Sequence, residues 1–316
     1  MAIRILTNDG IDDKGKKLLT EAGFDVDSTK YAQDKLADVI NNYDVLTVRS
    51  ATKVRKELLD VMQRTKLIVR GGVGLDNIDV HYAESKGIAV RNTPRASSQS
   101  VAELVFAHLF SIARMLHDAN RTMPASGLNQ FNDLKKKYAN GWELRGKTLG
   151  LIGFGNIGRA TARTALGLGM HVVAYDLFPN AAEIIIDLPN GESASIIIHP
   201  ISKEEVLRKS DIISIHSAGD TEVIGANEFS LMKKGSVLIN CARGGTVNEA
   251  ALLQALHSGQ VAFAGIDVFE KEPTDNAELL HHPNVSLSPH IGASTLEAQE
   301  RIGIEVYEII RQFFPG

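Results

Sequence analysis

Over residues 3–93, short apolar runs of strand length alternate with longer amphipathic stretches. Residues 3–6, 25–28, 44–48, 67–70 and 88–91 read as strands. Residues 12–22, 34–41, 53–64 and 80–85 read as helices, each closing near a glycine, an asparagine or a polar turn. Strands separated by helical crossovers predict a parallel sheet, and so a small doubly wound α/β domain. Ligands of such sheets meet the loops beyond the carboxyl ends of the strands, here 49–52, 70–76 and 92–94.

The pattern then changes. Ser100 and Glu103 have capping-box spacing, and a helix from there to about His117 carries Val101, Leu104, Val105, Leu109, Ile112, Ala113 and Leu116 on a broad apolar face. It is predicted to link two domains, with His108 as a packed or solvated histidine. Residues 124–140 read as a polar, irregular loop in which Lys135, Lys136 and Lys137 form a solvated patch. If that loop folds over the cleft, the patch would meet an anionic substrate.

Residues 147–176 carry the most specific signal. Strand 148–152 runs into Gly153-Phe154-Gly155-Asn156-Ile157-Gly158, then a helix to Leu168, a stop at Gly169, strand 171–175 and Asp176. Gly153 permits a tight turn, Gly155 lets a pyrophosphate approach the main chain, and Gly158 lets the helix pack close to its strand. The first amides of that helix favour an anion. Asp176, at the end of the second strand, suits an adenosine ribose and repels a 2′-phosphate, so NAD is expected over NADP.

Two isoleucine-rich runs around Asn190-Gly191 predict a β-hairpin at 184–198. So many apolar residues call for a cover: a neighbouring subunit, the adenine end of the cofactor site, or the domain's own sheet. Alternation then resumes with helix 203–209, strands 211–216 and 236–241, helix 248–257, and strands 262–268 and 285–288, completing a six-stranded dinucleotide domain. The last helix, 294–313, carries Ile302, Val306, Ile309, Ile310 and Phe313 and is predicted to return to the first domain. The expected division is 1–98 with 290–316 for substrate and 99–289 for the dinucleotide. Two crossings between domains make a hinge, and a cleft between them is expected to close on ligand.

Composition narrows the partners. With 316 residues, 44% hydrophobic and 23% charged, the chain has room for about two globular domains. A net charge of −4 and the lack of a long basic block give no general attraction to nucleic acid or an anionic membrane. Cys241 is the single cysteine, which leaves no disulfide framework and no cysteine cluster for zinc, and no metal is expected. There is no signal-peptide pattern and no apolar segment of spanning length, so a soluble cytoplasmic protein with a small-molecule partner is expected.

Three late segments offer chemistry to a nicotinamide cofactor. Arg243 follows a strand, and its guanidinium fits the carboxylate and carbonyl oxygens of a 2-oxo acid. Glu272 and His290 follow two further strands. If Glu272 binds one ring nitrogen of His290, the imidazolium is stabilised, and the other nitrogen can protonate a developing alkoxide or take a hydroxyl proton.

The order of these segments resembles the D-isomer-specific 2-hydroxyacid dehydrogenases along essentially the whole chain. Arg-Gly-Gly-Val-Gly-Leu-Asp-Asn-Ile-Asp (70–79), the 153–158 fingerprint, Leu-Ile-Asn-Cys-Ala-Arg-Gly-Gly (238–245), Asp-Val-Phe-Glu-Lys-Glu-Pro (267–273) and Ser-Pro-His-Ile-Gly (288–292) match successive family motifs. The resemblance implies a Rossmann NAD-binding domain inserted into a flavodoxin-like substrate domain. It implies that Arg243 binds substrate, Glu272 orients the histidine and His290 is the acid/base. Main-chain N–H groups of Val73 and Gly74 would hold the substrate carboxylate, and Asp267 would face the nicotinamide carboxamide. The expected cofactor contacts are Gly153, Gly155, Asn156, Ile157, Gly158 and Asp176, with His216, Ala218, Cys241, Ala242, Asp267 and Gly292 at the other strand ends.

Within the family, residues 48–54 and 146–150 look most like the D-3-phosphoglycerate dehydrogenase branch of serine biosynthesis. Arg49 and Ser50 would then meet a phosphorylated 2-hydroxy acid, with Arg70 and Lys137 as further candidates. Alternatives are a glyoxylate, hydroxypyruvate or D-lactate enzyme, or an NADH-sensing corepressor-like protein. The family usually forms homodimers or homotetramers through the dinucleotide domain. There are departures: His216-Ser217-Ala218 stands where His-x-Pro is frequent, Ser97 where asparagine is frequent, and the 184–198 hairpin is extra. Nothing like a C-terminal serine-sensing domain is present before Gly316, so serine feedback through one is not expected.

Overall fold

The computed structural model describes residues 2–187 and 190–315, which form two compact units, 1–100 with 293–316, and 101–292. In the first unit, strands β1 (Arg4–Thr7), β2 (Asp25–Asp27), β3 (Val45–Val48), β4 (Leu67–Arg70) and β5 (Ala89–Asn92) form one sheet in the order β2-β1-β3-β4-β5. Every pairing is parallel. Both faces are covered, which is why β3 is buried at all four positions. One face packs Leu6, Leu46 and Ile68 against Leu36, Leu59 and Ile78. The other packs Ile5, Val45 and Val69 against Leu19 and against Ile302, Val306 and Ile310 of helix Leu296–Phe313. Thr295 caps that helix by accepting from the Ala298 amide, so it begins two residues later than the pattern predicts.

In the second unit, β6 (Thr148–Ile152), β7 (His171–Tyr175), β10 (Ile212–Ile215), β11 (Ser236–Asn240), β12 (Val261–Ile266) and β13 (Val285–Leu287) form a parallel sheet in the order β13-β12-β11-β10-β6-β7. Two further strands, β8 (Ala182–Asp187) and β9 (Ser193–Ile198), make the expected hairpin as a separate antiparallel pair. Leu188 and Pro189, within its turn, lie outside the described residues. Its inner residues Ala182, Ile184 and Ile198 join the core with Ala162 and Ala165 of helix Asn156–Gly167, so the hairpin covers its own domain on one face. Ile185, Ile196 and Ile197 are exposed on the other.

Three expectations fail in the segment between the units' sheets. The turn at Arg95–Ser98 starts the helix early, at Ser98, so Ser100 lies inside it rather than at its cap. The helix also ends at Ala113 rather than His117, because Met115 turns left-handed (φ 52°). The stretch read as an irregular loop is a second helix, Leu116–Lys137, with Pro124 inside and a non-helical Gln130. Its polar, proline-containing sequence hid it. Side-chain ties between its ends hold it together, Asp118 bonding both Lys137 and Tyr138.

A close contact between two helices of the first unit sets a steric limit. A Cβ on Gly15, in helix Asp13–Glu21, would lie 2.6 Å from the Gly303 Cα. Gly15→Ala is therefore expected to destabilise the fold by about 1–3 kcal/mol despite the better helix propensity of alanine. Urea unfolding of the variant, with unchanged slope and a lower midpoint, checks this.

Candidate active site

In each unit the strand order reverses at one point, β1/β3 in the first and β6/β10 in the second. Loops leaving the carboxyl ends of such neighbouring strands part to opposite sides and open a crevice. At β6, Gly153 has φ +100°, and a Cβ there would lie 2.6 Å from the His216 carbonyl carbon. A Cβ on Gly158 would lie 2.3 Å from the Gly153 oxygen, so helix Asn156–Gly167 sits directly against the turn. At Gly155 the result is the reverse: an added Cβ meets no protein atom within 4 Å. Packing does not require that glycine, and the open space beside it leaves room for a ligand to approach the backbone. Gly155 is also the N-cap and offers no side-chain oxygen to the amides of Asn156, Ile157 and Gly158.

Asp176 closes the unit from β7. Its Oδ2 accepts from the Phe154 amide at 2.6 Å and its Oδ1 from the Phe178 amide at 2.9 Å, so the carboxylate fixes the glycine turn from behind. Across the switch point, His216 follows β10 with Ala218 exposed beyond it. His216 Nε2 lies 2.9 Å from Ser214 Oγ, while His216 Nδ1 and Ser217 Oγ are buried without a hydrogen-bond partner. Burial pushes the His216 pKa down to about 3.

The next strand, β11, delivers Cys241, Ala242 and Arg243. Burial, with the Asp267 charge, raises the Cys241 thiol well above its ordinary value, so it is an inert packed side chain. Asn240 fixes the turn: its Oδ1 accepts from the Ala242 amide at 3.1 Å and its Nδ2 donates to the Arg243 oxygen at 2.9 Å. Gly244 then packs so tightly that a Cβ would lie 1.8 Å from the Phe269 oxygen, which seats the arginine turn on the 267–273 loop. That loop is anchored by a reciprocal pair, Glu249 N to Glu270 Oε1 and Glu270 N to Glu249 Oε1, both 2.8 Å.

Glu272 and His290 meet. His290 Nδ1 is 2.7 Å from Glu272 Oε2, both side chains are partly solvent-accessible, and Glu272 Oε1 accepts from the Phe269 amide at 3.2 Å. His290 occupies the left-handed region with φ 53°, rare for a residue with a Cβ. Asp267 holds it there. The Asp267 main-chain oxygen accepts from the His290 amide at 2.7 Å, Oδ1 from the Ile291 amide at 2.9 Å, and Oδ2 from the Gly292 amide at 2.9 Å.

In the first unit, Arg49 and Ser50 follow β3, Arg70 ends β4, and Val73 and Gly74 lie in the loop beyond it, all except Ser50 half-buried. Asp9 after β1 organises the Arg49 loop, its Oδ2 accepting from the Arg49 amide at 2.7 Å and the Thr52 amide at 3.0 Å. Asn77 Nδ2 donates to the Arg49 oxygen at 2.7 Å and the Thr52 oxygen at 2.6 Å. Among the described residues, no carboxylate pairs with the Arg49 guanidinium. A small crevice here is lined by Gly10, Asp12, Thr47, Arg49, Gly71 and Gln299. Lys137, in the second unit, is tied to Asp118 at 2.6 Å.

Residues 106–292 match the family described as D-isomer specific 2-hydroxyacid dehydrogenase, NAD binding domain. The chain belongs to that family. It is 42% identical over 314 residues to a hydroxypyruvate reductase of Thermotoga maritima, covering 97% of each. It is 39% identical over 319 residues to a D-3-phosphoglycerate dehydrogenase of Bacillus subtilis, covering 99% of this chain and 57% of that one. Among solved structures it resembles an acyclic imino acid reductase in complex with NADPH and D-Arg, with a TM-score of 0.84 and 28% identity over 99% of this chain and 97% of the other.

The glycine turn, the open Gly155, a helix start with no side-chain cap, and the orphaned His216 Nδ1 and Ser217 Oγ fit the NAD of this dehydrogenase family. Asn240, Asp9 and Asn77 are supports that the sequence reading missed. An asparagine or aspartate at or just past a strand end, beside a predicted ligand loop, is the signal that would have found Asn240 and Asp9, while Asn77 lies inside the loop after β4. Among the described residues no helix is long and apolar enough to cross a membrane, and no three-residue His/Cys/Asp/Glu group suits a metal ion.

His216 gives the acid limb of stability. It stays neutral in the fold to about pH 3 but takes a proton in the unfolded chain below its ordinary 6.5, so the unfolded state binds more protons between those values. Stability should be intact above about pH 6.5 and fall as pH drops towards 3. Thermal unfolding of the cofactor-free chain at neutral pH and at about pH 4.5 should show His216→Gln losing less than the parent, by on the order of 2 kcal/mol.

Proposed function

We propose that this NAD-dependent oxidoreductase interconverts a D-2-hydroxy acid and its 2-oxo acid, with Arg243, Glu272 and His290 as the working residues. The observation that carries this is the 2.7 Å contact of His290 Nδ1 with Glu272, which leaves Nε2 for substrate. NAD, when bound, supplies the hydride acceptor for C2 of the hydroxy acid, and its reduced form the donor to the oxo acid. His290 Nε2 takes the hydroxyl proton during oxidation and returns it to the carbonyl oxygen during reduction. Glu272 stabilises the cationic ring between those moments and keeps the proton on Nδ1. Arg243, whose Nη1 donates to the Ala242 oxygen at 2.7 Å, supplies the cation for the substrate carboxylate and carbonyl. Asp176 supports preference for NAD over NADP, because a 2′-phosphate beside it would be repelled.

For the substrate, the reading is D-3-phosphoglycerate and 3-phosphohydroxypyruvate, with Arg49 and Ser50 on the phosphate and the Val73 and Gly74 amides on the carboxylate. An Arg49 guanidinium with no carboxylate partner among the described residues, at a sheet switch point, supports it. A second reading, hydroxypyruvate, is favoured by the match along nearly the full length of the Thermotoga maritima protein. Assembly as a homodimer or homotetramer belongs to the same proposal.

His290→Ala is expected to lower kcat by about 10²–10⁴ with KM little changed. Arg49→Ala is expected to raise KM for 3-phosphohydroxypyruvate about 10–100-fold and leave hydroxypyruvate within about threefold. Steady-state rates with NADH and both oxo acids decide. Equal weakening of both acids by Arg49→Ala would remove the phosphate contact, and undiminished turnover in His290→Ala would remove the acid–base assignment.

A further inference from the structure

His108 sits in the middle of helix Ser98–Ala113 and is 4% exposed. Its Nδ1 lies 2.9 Å from Ser286 Oγ and its Nε2 2.9 Å from Ser288 Oγ. The strand beside it makes room, since a Cβ on Gly265 would lie 2.8 Å from the His108 Cβ. Ser288 in turn donates to Asp267 Oδ1 at 2.6 Å. A serine has one hydroxyl hydrogen, so Ser288 can meet the imidazole only as an acceptor, and Nε2 carries the N–H. Burial lowers the His108 pKa, opposed by Asp267 and assisted by His117, so the ring is neutral at physiological pH. With its one N–H on Nε2, its Nδ1 accepts from Ser286. Every hydrogen in the row therefore has a fixed direction: Ser286 to His108, His108 to Ser288, Ser288 to Asp267.

We propose that His108 is a positioning residue for His290, acting through Ser288 and Asp267. The inference rests on the acid–base reading of His290 given above. Asp267 is the residue that holds His290, Ile291 and Gly292 by their amides, and Ser288 stands two residues before His290 on the same segment. The N–H of His108 occupies one lone pair of Ser288 and turns the hydroxyl hydrogen away from the ring, which favours its bond to the Asp267 carboxylate. Without that N–H the hydroxyl is free to turn to another acceptor, Asp267 loses a donor, and the loop that carries His290 has a second arrangement open to it. A shift of a fraction of an ångström in a proton-transferring group slows the chemical step more than it weakens binding. A histidine that only fills space predicts otherwise: leucine, close in size and apolar, would serve as well or better.

The test compares His108→Leu, His108→Asn and His108→Gln in the full chain. Glutamine carries an N–H to about where Nε2 stood, and asparagine reaches only the Nδ1 position. Two measurements are made: kcat and KM with NADH and the better oxo acid, and the NMR titration of the His290 imidazole in the cofactor-free chain. Leucine and asparagine are expected to lower kcat about tenfold with KM within about twofold and to displace the His290 titration, while glutamine recovers most of both. Ser288→Ala is expected to give a similar loss that does not add to that of His108→Leu. Parental kcat and titration in His108→Leu, or equal losses in glutamine and leucine, would overturn the proposal. Should the leucine variant not fold, the contrast between glutamine and asparagine decides. If His290→Ala keeps full turnover, the acid–base reading has failed, and the NMR titration still reports whether His108 governs the position of His290.

Discussion

A single buried carboxylate organises the chemistry of the second unit. Asp267 has no exposed surface, and a carboxylate removed from water costs several kcal/mol unless donors surround it. The 288–292 segment supplies them from Ser288 Oγ and the amides of Ile291 and Gly292, and the His290 amide adds a bond to the main-chain oxygen. Satisfying all four in so short a stretch bends the chain at His290 into the left-handed region, at a cost of about 1–2 kcal/mol for a residue with a Cβ. Gly292 is part of the same constraint, because a Cβ there would crowd Asp267 Oδ2 at 3.2 Å.

The sheet brings these distant residues together. In the parallel register Ile266 stands beside Leu287 and Asn240 beside Ile266, so the loops after β11, β12 and β13 emerge side by side along one edge. The arginine turn, the glutamate loop and the histidine loop are thus consecutive neighbours although they lie far apart in sequence. Short-range ties then remove the remaining freedom: Asn240 across the arginine turn, the Glu249–Glu270 pair behind the glutamate, and the Asp267 clamp on the histidine. The loops carry Arg243, Glu272 and His290, and polar groups at the strand ends make those loops rigid.

Residues with a repeating or spaced signature could be read in advance. Apolar runs of strand length gave both sheets, because parallel strands buried on both faces are continuous in hydrophobicity. The strand, turn, helix and second strand over 148–176 were legible from local order along the chain, and the expected pairing of Glu272 with His290 is met at 2.7 Å, although it joins two separate loops. Helix Leu116–Lys137 was not legible, because a proline and a mixed polar sequence erase its periodicity while Asp118, Lys137 and Tyr138 hold it through side chains distant in sequence. His108 was read as bland for the same reason. Its meaning lies in Ser286 and Ser288, which only the fold places beside it.

The same device recurs at three strand ends, and this explains why aspartate rather than asparagine occupies them. Asp9 after β1 accepts the amides of Arg49 and Thr52, Asp176 after β7 accepts those of Phe154 and Phe178, and Asp267 after β12 accepts those of Ile291 and Gly292. Each carboxylate uses acceptor oxygens only, and at Asp176 and Asp267 both oxygens face an N–H. An asparagine there would turn its own NH₂ towards a donor amide and leave two hydrogens opposed. The negative charge also strengthens each bond, as charge-assisted pairs exceed neutral ones roughly twofold. Loops that must stay open to a ligand cannot be stabilised by burying apolar side chains, so they are held from behind, by fixed anions on backbone amides. Acids can stand at these strand ends because backbone N–H groups satisfy their oxygens and tie each loop to the strand that delivers the acid.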